Sequence, residues 1–252
     1  KTVNYVNDWK ISWGGNIQYS DYFNNTSDLY NQAEYITKFN FYKYGLFGNI
    51  SKRFFENKLD VSIGIRSDED TFSSGSKLTN NLSPRLSTSL SISKDRRLKW
   101  NSSLGTYYKI PVYTVLGFKN NLGEFANQDA QYTKSNHFVT GFDYALGNAS
   151  KISVEGFLKK YDQFPISLVD GVSLANKGAD FEVLGNENII TEGKGKTRGL
   201  EFLFQQKLTN NFYGIFSYTY FKSEFTGING NYLPSVWDSK HLSSFSGGYK
   251  LK

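Results

Sequence analysis

Hydrophobic and polar residues alternate most clearly between Lys196 and Phe225. Apolar side chains recur at every second position in two successive runs, at Leu200, Phe202, Phe204, Phe212, Phe216, Tyr218 and Tyr220. A period of two is expected for an extended strand whose two faces differ. The segment Thr209-Asn210-Asn211 separates the runs, and Asn suits a tight turn. The pattern predicts an antiparallel hairpin with arms of about 10 to 14 residues, whereas about 9 to 11 cross a bilayer.

The same alternation continues through the chain and predicts about ten strands. Besides the two arms of this hairpin, they are Trp9–Asp21, Phe39–Phe55, Leu59–Arg66, Pro84–Ile92, Leu98–Ile110, Phe138–Leu146, Ile152–Pro165 and His241–Leu251. We expect their apolar residues, including Trp13, Ile63, Leu90 and Phe216, to face lipid rather than a dry core. Their polar neighbours are expected to line an enclosed passage.

The predicted connections between strands alternate in length. The short ones lie near Glu56, Lys94, Gly147 and Thr209, and the long ones near Asn25, Asp70, Asn120, Val172 and Gly227. Asn24–Thr37, Pro111–Ser135 and Ile166–Gly195 are expected to be long connections. Short turns at one end and long loops at the other are typical of outer-membrane barrels, whose long loops face the outside of the cell.

Aromatic residues cluster where the predicted strands meet the loops. They are Tyr19, Tyr22, Phe23, Phe39, Tyr42, Tyr107, Tyr108, Tyr218, Tyr220 and Phe221. Such a belt is typical of a membrane interface, although cross-strand pairs in a soluble sheet use the same residue types. Together with the long strands and unequal loops, the belt indicates an all-β fold, an antiparallel transmembrane β-barrel. Residues 1–252 are expected to form a single segment of it.

Composition and charge exclude several classes of function. The chain has 252 residues, 18 Tyr, 21 Phe, no Cys and a net charge of +6. Disulfides and thiolate chemistry are therefore excluded. Charges of both signs are dispersed without a basic run, so we expect no nucleic-acid partner. No stretch of 18 apolar residues occurs, but a barrel needs none because each strand shows lipid only alternate residues.

Candidate chemistry is sparse. The two histidines, His137 and His241, lack paired-ligand spacing, and no serine has a nucleophile motif. We therefore expect no metal site, no cofactor and no enzyme activity. Asp68-Glu69-Asp70 could contribute to a Ca²⁺ site, but a solvated loop tip is the preferred interpretation. The segment Gly193-Lys194-Gly195-Lys196 does not match a phosphate-binding loop and is expected to be a flexible loop base.

Five short segments stand out by their order and spacing: Ser83–Ser87, Gly105–Pro111, Gly193–Glu201, Ser217–Tyr220 and Trp237–His241. Together they resemble the barrel of a TonB-dependent outer-membrane receptor of the kind common in Bacteroidetes. The resemblance implies a 22-stranded barrel with an N-terminal plug in the outer membrane of a Gram-negative bacterium. It also implies uptake of a scarce nutrient driven by the TonB complex. We expect this chain to be a middle and later part of such a barrel, with the plug and the C-terminal strands absent.

Ligand recognition is expected in the long loops. The candidate ligand-binding residues are Tyr113, Phe118, Lys119, Asn120, Phe125, Asn176, Lys177 and Phe181. The charges expected to face the lumen are Glu155, Lys159, Arg198 and Glu201. Siderophore, vitamin, glycan and peptide ligands all remain open. Other expected partners are outer-membrane lipid, lipopolysaccharide and the TonB complex through the plug, and a surface lipoprotein is left open.

Two other classes of function remain as alternatives. The first is an outer-membrane barrel that acts as an enzyme or as a passive porin, and the second is a soluble β-sandwich that binds glycans through exposed aromatic residues. A sandwich would place Trp13 and Ile63 in a dry core between two layers, whereas a barrel places them outside.

Overall fold

A computed structural model describes residues 2–6, 8–28, 33–178 and 185–251. These residues form one sheet and one short helix, α1 (Tyr113–Leu116). The strands are β1 (Thr2–Val6), β2 (Trp9–Asp28), β3 (Ala33–Phe54), β4 (Leu59–Asp70), β5 (Ser83–Ser91), β6 (Leu98–Lys109), β7 (Thr133–Ala145), β8 (Ser150–Ser167), β9 (Ile189–Thr209), β10 (Phe212–Thr226), β11 (Tyr232–Pro234) and β12 (His241–Tyr249). In this part of the chain, no helix has the length and apolar character that a membrane-spanning helix requires.

Each strand from β1 to β9 pairs in antiparallel fashion with the next one along the chain. Strand β10 pairs with β9 on one side and with both β11 and β12 on the other. This order is the simplest that consecutive hairpins produce. The prediction of about ten long antiparallel strands is confirmed, and the short strands β1 and β11 are additional.

The short turns lie where the sequence predicts them. They occupy residues 55–58, 92–97, 146–149 and 210–211. Asn210 and Asn211 both have positive φ angles, 50° and 68°. This is the backbone of a two-residue type I′ turn, which matches the twist of the two strands it joins.

Two of the predicted long connections are shorter than expected. Strand β2 continues to Asp28 and β3 begins at Ala33, so most of Asn24–Thr37 is strand. Likewise β8 extends to Ser167 and β9 begins at Ile189, which leaves 168–188 as the connection. The predicted strands end too early because polar side chains interrupt the hydrophobic alternation. Strand pairing does not depend on that alternation, since it uses backbone groups that every residue except proline supplies in full.

The glycine-rich segment near residue 195 therefore lies inside β9 and is not a flexible loop base. A Cβ atom at Gly195 would overlap the ring of Phe225, a side chain that is only 1% exposed. Gly195 is needed because it lets this ring pack directly against the backbone of β9.

The two faces of the sheet differ as the alternation predicts. Trp13, Ile63 and Phe216 are 55%, 61% and 37% exposed on one face, and Leu90 shares that face and is half-buried. The opposite face bounds a cavity of about 1020 Å³. Residues from strands as distant as β1 and β8 line this cavity, so the sheet curls with its polar face inside. No second layer covers the apolar face in the described residues, which contradicts the sandwich alternative.

The aromatic belt is only partly on the outer face. Tyr19 and Tyr42 form an outward cross-strand pair with ring centroids 5.2 Å apart. Tyr22 and Phe39 have the opposite parity and turn inward, where their ring centroids are 5.3 Å apart. The belt predicted from the sequence thus mixed interface residues with residues of an inner cluster, because proximity in sequence ignores strand parity.

A pair of neighbouring arginine substitutions in the intact protein tests the assignment of the two faces. Leu104 is 56% exposed on the apolar face, while Ser103 lines the cavity. Leu104→Arg should lower the free energy of unfolding in lipid vesicles by about 2–4 kcal/mol, because it places a charge near the middle of the apolar band. The measurement is guanidinium unfolding followed by Trp fluorescence.

Ser103→Arg is the matched control, since it adds the same side chain at the same height on the polar face. A small effect there is expected. Equal losses for the two variants would contradict the assignment of faces.

Candidate functional site

The long loops pack inside the curl of the sheet and form a buried cluster at its loop end. We call this group the loop cluster; its buried members are Phe39, Phe41, Val115, Leu116, Ala130, Leu174 and Ile189. Helix α1 supplies Val115 and Leu116, both 0% exposed. The cluster is therefore a hydrophobic core built by loops on the inner wall, and it stabilises the loops that lie over the passage.

Aromatic rings surround this core. Phe39 has its ring centroid 4.4 Å from that of Phe72 and 5.8 Å from that of Phe125. Phe41 packs edge-on against Tyr113 at 5.4 Å. These contacts join β3 to three different parts of the loop end, and such aromatic pairs each contribute about 0.5–1.5 kcal/mol beyond area burial.

One buried asparagine holds two loops together. The Asn127 side chain is 0% exposed, and its Nδ2 donates to the carbonyl oxygens of Val115 at 2.9 Å and Glu187 at 2.8 Å. Its Oδ1 accepts from the backbone N–H of Ile189 at 3.0 Å. A single side chain thereby pairs with backbone groups of both long connections and of the first residue of β9.

The inner face of β3 also binds the loop that follows α1. The Thr37 hydroxyl donates to the Gly117 carbonyl at 2.8 Å, and the Tyr35 hydroxyl donates to the same carbonyl at 2.9 Å. The Lys119 N–H in turn donates to the Tyr35 hydroxyl at 2.7 Å. The C-terminal end of α1 is thus fixed to the wall.

A buried carboxylate organises the connection after β4. Asp70 is 3% exposed and accepts hydrogen bonds from the N–H groups of Phe72 and Ser73, the Ser73 hydroxyl and the Tyr132 hydroxyl. Burial, together with the charge of Asp70, raises the pKa of Tyr132, so this phenol stays protonated as a donor. The preferred interpretation of Asp68-Glu69-Asp70 as a solvated tip is therefore wrong for Asp70, since a carboxylate with enough donors is stable when buried.

A second ionic group fixes the connection between β8 and β9. Lys177 Nζ lies 2.7 Å from Glu187 Oε1 and 2.9 Å from Asp170 Oδ2. Burial lowers the pKa of Lys177, but the hydrogen bonds to the two carboxylates outweigh it and the pKa is raised overall. Burial likewise raises the pKa of Asp170, and the hydrogen bond from Lys177 and the N–H of Val172 reverse this, so that pKa is lowered.

The structure gives the predicted ligand-binding residues different environments. Tyr113 and Phe125 pack against the loop cluster, whereas Phe118 stacks on Tyr35 with centroids 6.1 Å apart. Lys119 Nζ lies 4.9 Å from the centroid of the Phe125 ring. All four residues are half-buried, and Lys119 lies over Phe125, whereas Tyr113 contacts Tyr22, Phe39 and Phe41 instead.

The remaining candidates lie elsewhere in the loops. Asn120 closes its own turn, since its Oδ1 accepts from the N–H groups of Leu122 and Glu124. Asn176 donates to the carbonyls of Leu233 and Pro234 and so joins its loop to β11. Lys177 belongs to the ionic group above. Phe181 lies outside the described residues.

The strand register places three of the four predicted lumen charges on the polar face and the fourth on the apolar face. Glu155 and Glu201 are direct cross-strand partners on the polar face, and Lys159 shares that face. Arg198 pairs with Leu158 and Lys222 and has the parity of Leu200, which places it on the apolar face. The prediction that Arg198 faces the lumen is therefore wrong, because it lies an odd number of residues from Glu201.

Sequence reasoning missed the residues that hold the loops in place. Asn127, Thr37 and Tyr132 are buried only because distant segments meet around them, and no local pattern distinguishes them from exposed Asn, Thr and Tyr. Within the described ranges, no group of three or more His, Asp or Glu side chains is arranged to hold a metal ion.

An antiparallel sheet with an apolar outer face, a polar inner face and loops packed into one end defines the wall of a membrane β-barrel. Comparison with family models makes the class more specific. Residues 2–252 match the model described as TonB dependent receptor-like, beta-barrel, and the chain belongs to this family. The family comprises receptors and transporters rather than enzymes, and it places the chain in the outer membrane of a Gram-negative bacterium.

Solved structures agree on the fold. The copper transporter OprC is 15% identical with a TM-score of 0.67, covering 99% of this chain and 39% of that one. The FrpB iron transporter from Neisseria meningitidis is 11% identical with a TM-score of 0.64, covering 98% and 38%. The outer membrane transporter YddB from Escherichia coli is 14% identical with a TM-score of 0.60, covering 98% and 38%. The chain thus spans about two fifths of these proteins. Comparison with curated protein sequences gave no match.

Substitution of Asn127 tests whether it holds the loop cluster together. Asn127→Ala removes three hydrogen bonds to the backbone. It leaves the buried N–H of Ile189 without this partner, at a cost of about 1–3 kcal/mol, whereas the Val115 carbonyl still accepts from the Phe118 N–H and the Glu187 carbonyl is only partly buried. The free energy of opening these loops should fall by about 2 kcal/mol, so the open fraction should rise about 30-fold. Limited proteolysis of the intact protein with trypsin should show faster cleavage after Lys119.

The matched control is Asn121→Ala, which removes an exposed amide from the same connection. It should leave the cleavage rate unchanged. Cleavage of the Asn127 variant at the wild-type rate would show that the asparagine does not hold the loops.

The ionic group predicts a pH dependence for loop 168–178. The folded-state pKa of Asp170 is lowered, so its contribution is present above the ordinary Asp value of about 3.9 and is lost as the pH falls through the lower folded value. Because the Asp170 side chain is 45% exposed, we expect less than about 1 kcal/mol. Hydrogen exchange of this loop, corrected for intrinsic rates, should increase below about pH 4.

Asp170→Asn should already exchange faster at neutral pH and should lose part of the acid response. If the variant and the wild type respond equally to acid, Asp170 is not the titrating group.

Proposed function

We propose that this chain forms part of the wall and loop end of a TonB-dependent receptor that takes up a scarce nutrient. The family match over residues 2–252 is the observation that carries the proposal. The rest of the protein would supply the plug, the contact with the TonB complex and the remaining strands. The sheet supports this division, since β1 and β12 each pair on one side only in the described residues.

The loop end is the proposed ligand-binding region. A receptor gains affinity when its loops are ordered before the ligand arrives, because less conformational entropy is lost on binding. The hydrogen bonds of Asn127 and Asp70 support such order. We infer that Phe118 and Lys119 contact the ligand, since they are partly exposed and are not among the residues packed against the loop cluster, whereas Tyr113 and Phe125 pack against it and Phe125 lies under Lys119.

The other candidates receive different proposed roles. Asn120 and Lys177 use their polar groups within the loops, and Nδ2 of Asn176 donates to two loop carbonyls, so we infer that they shape the region rather than bind ligand directly. Glu155, Lys159 and Glu201 line the inner wall. Two adjacent carboxylates on one face repel each other, and a cationic group of the plug would relieve this repulsion. A siderophore, a vitamin, a glycan and a peptide remain possible nutrients.

Nutrient-limited growth tests the proposal. Strains that lack the receptor gene are compared with the parent on limiting iron, on limiting cobalamin and on single glycans or peptides as sole carbon source. We expect one condition in which growth needs both the receptor and TonB. In that condition, Phe118→Ala combined with Lys119→Ala should raise the nutrient concentration that supports half-maximal growth about tenfold or more, which corresponds to about 1.4 kcal/mol of binding.

Asn121→Ala is the control, because it alters the same loop without touching the loop cluster, and receptor levels in the membrane are compared by immunoblot. Growth that needs the receptor but not TonB would favour the passive porin instead. In the same assay, Glu155→Gln combined with Glu201→Gln should change uptake if these groups face the plug, and no change would contradict that role.

A further inference from the structure

The outer face of the sheet carries a group of cations near the loop end. We call it the basic patch; it consists of Lys160, Lys196, Arg198 and Lys222. The register places Arg198 beside Lys222, and Lys160 beside Lys196, on three adjacent strands. All four have the parity of the apolar residues below them, so they project from the face that contacts lipid.

The charges in the basic patch are incompletely balanced. Glu224 is the carboxylate within it, and its two oxygens lie 2.8 Å from Lys222 Nζ and 3.6 Å from Lys196 Nζ. Lys196 Nζ also lies 3.9 Å from the centroid of the Tyr232 ring. Within the part of the chain that the structure describes, Arg198 and Lys160 form no ion pair or hydrogen bond, and both are exposed. Four cations thus face one carboxylate.

An apolar groove of about 540 Å³ lies directly below the basic patch. The apolar side chains that line it are Phe138, Leu158, Leu200 and Tyr220, and Arg198 and Lys222 close its loop-side end. Gly156 forms part of the floor, where the absence of a side chain leaves room between Thr140 and Leu200. Its lining residues come from the four adjacent strands β7 to β10, on the face that contacts lipid.

The height of the patch corresponds to one surface of the bilayer. On β10 the outward residues are apolar or glycine from Phe212, beside a short turn, to Tyr220, and Lys222 follows. These eight steps measure about 27 Å along the strand, and the strand is tilted, while the apolar band of such barrels is about 25 Å tall. The short turns mark the periplasmic end, so the patch lies among the headgroups of the outer leaflet.

We propose that the groove and the basic patch together bind one phosphorylated glycolipid of the outer leaflet. An acyl chain lies in the groove, and a phosphate group contacts Arg198 and Lys222. Charge complementarity identifies the occupant, because a guanidinium forms two parallel hydrogen bonds with a phosphate and the patch has unbalanced positive charge. The outer leaflet identifies the source, since its characteristic lipid is a phosphorylated glycolipid. This site does not depend on the nutrient that the receptor carries.

Native mass spectrometry of the intact receptor in detergent tests the site, with purified bis-phosphorylated lipid A as the probe. Arg198→Gln combined with Lys222→Gln should weaken binding of lipid A at least tenfold. Gly156→Leu should also weaken it, because the new side chain fills the groove; the nearest atom to its Cβ would be 3.4 Å away, so the strand can accept it. Dephosphorylated lipid A should bind the wild type and the double variant equally.

The matched control is Lys52→Gln combined with Lys58→Gln, which removes the same charge near the short-turn end and should leave lipid A binding unchanged. The heat-modifiable mobility of each variant in gels confirms that it is folded. Equal binding of lipid A by the wild type and the Arg198 and Lys222 variant would overturn the proposal. A second result would also overturn it: phosphatidylglycerol binds the wild type as tightly as lipid A does, and the same variant loses that binding. The occupant would then be a phospholipid.

Discussion

The structure depends on one constraint, namely that every backbone N–H and C=O group within a bilayer must find a partner in the protein. Antiparallel pairing with the neighbouring strand meets this requirement without help from side chains. Side chains are then free to divide between lipid and water, which explains how a chain with a negative mean hydropathy, −0.49, forms a membrane wall. Leu104 outside and Ser103 inside show the division at two consecutive positions.

The same constraint explains where the buried core lies. A sheet that faces lipid on one side and an aqueous passage on the other has no interior of its own, so the buried residues gather where the loops fold into the passage. Phe39 and Phe41 occupy inward positions at the loop end of β3, whereas Asn49 and Ser51 occupy inward positions near its short-turn end. The loop cluster therefore gives the receptor ordered loops, while the wall beneath remains polar.

Alternation and turn residues are local features, and they were enough to predict the ten long strands, the short turns and the two faces of the sheet. They were not enough for what depends on contacts across the chain. Asn127 and Asp70 look like ordinary loop residues, and only the meeting of distant segments buries them. Strand ends were placed too early at Asp21 and Pro165 because polar side chains end a hydrophobic pattern without ending a ladder of backbone hydrogen bonds. Family resemblance contributed the plug and the coupling to TonB, which no pattern in the residues could supply.

Arg198 shows how parity changes the meaning of a charge. A charged side chain that faces hydrocarbon near the bilayer centre costs about 2–4 kcal/mol, and the cost falls almost to zero at the interface. An arginine on the outer face is therefore acceptable only near the headgroups, and there it meets anionic lipid rather than solvent alone. Arg198 occupies such a position, two residues above Leu200 on the same face, and it lies beside Lys222 rather than beside a carboxylate. Arg198 does not face the lumen, and its position on the outer face near the headgroups instead suits contact with the membrane.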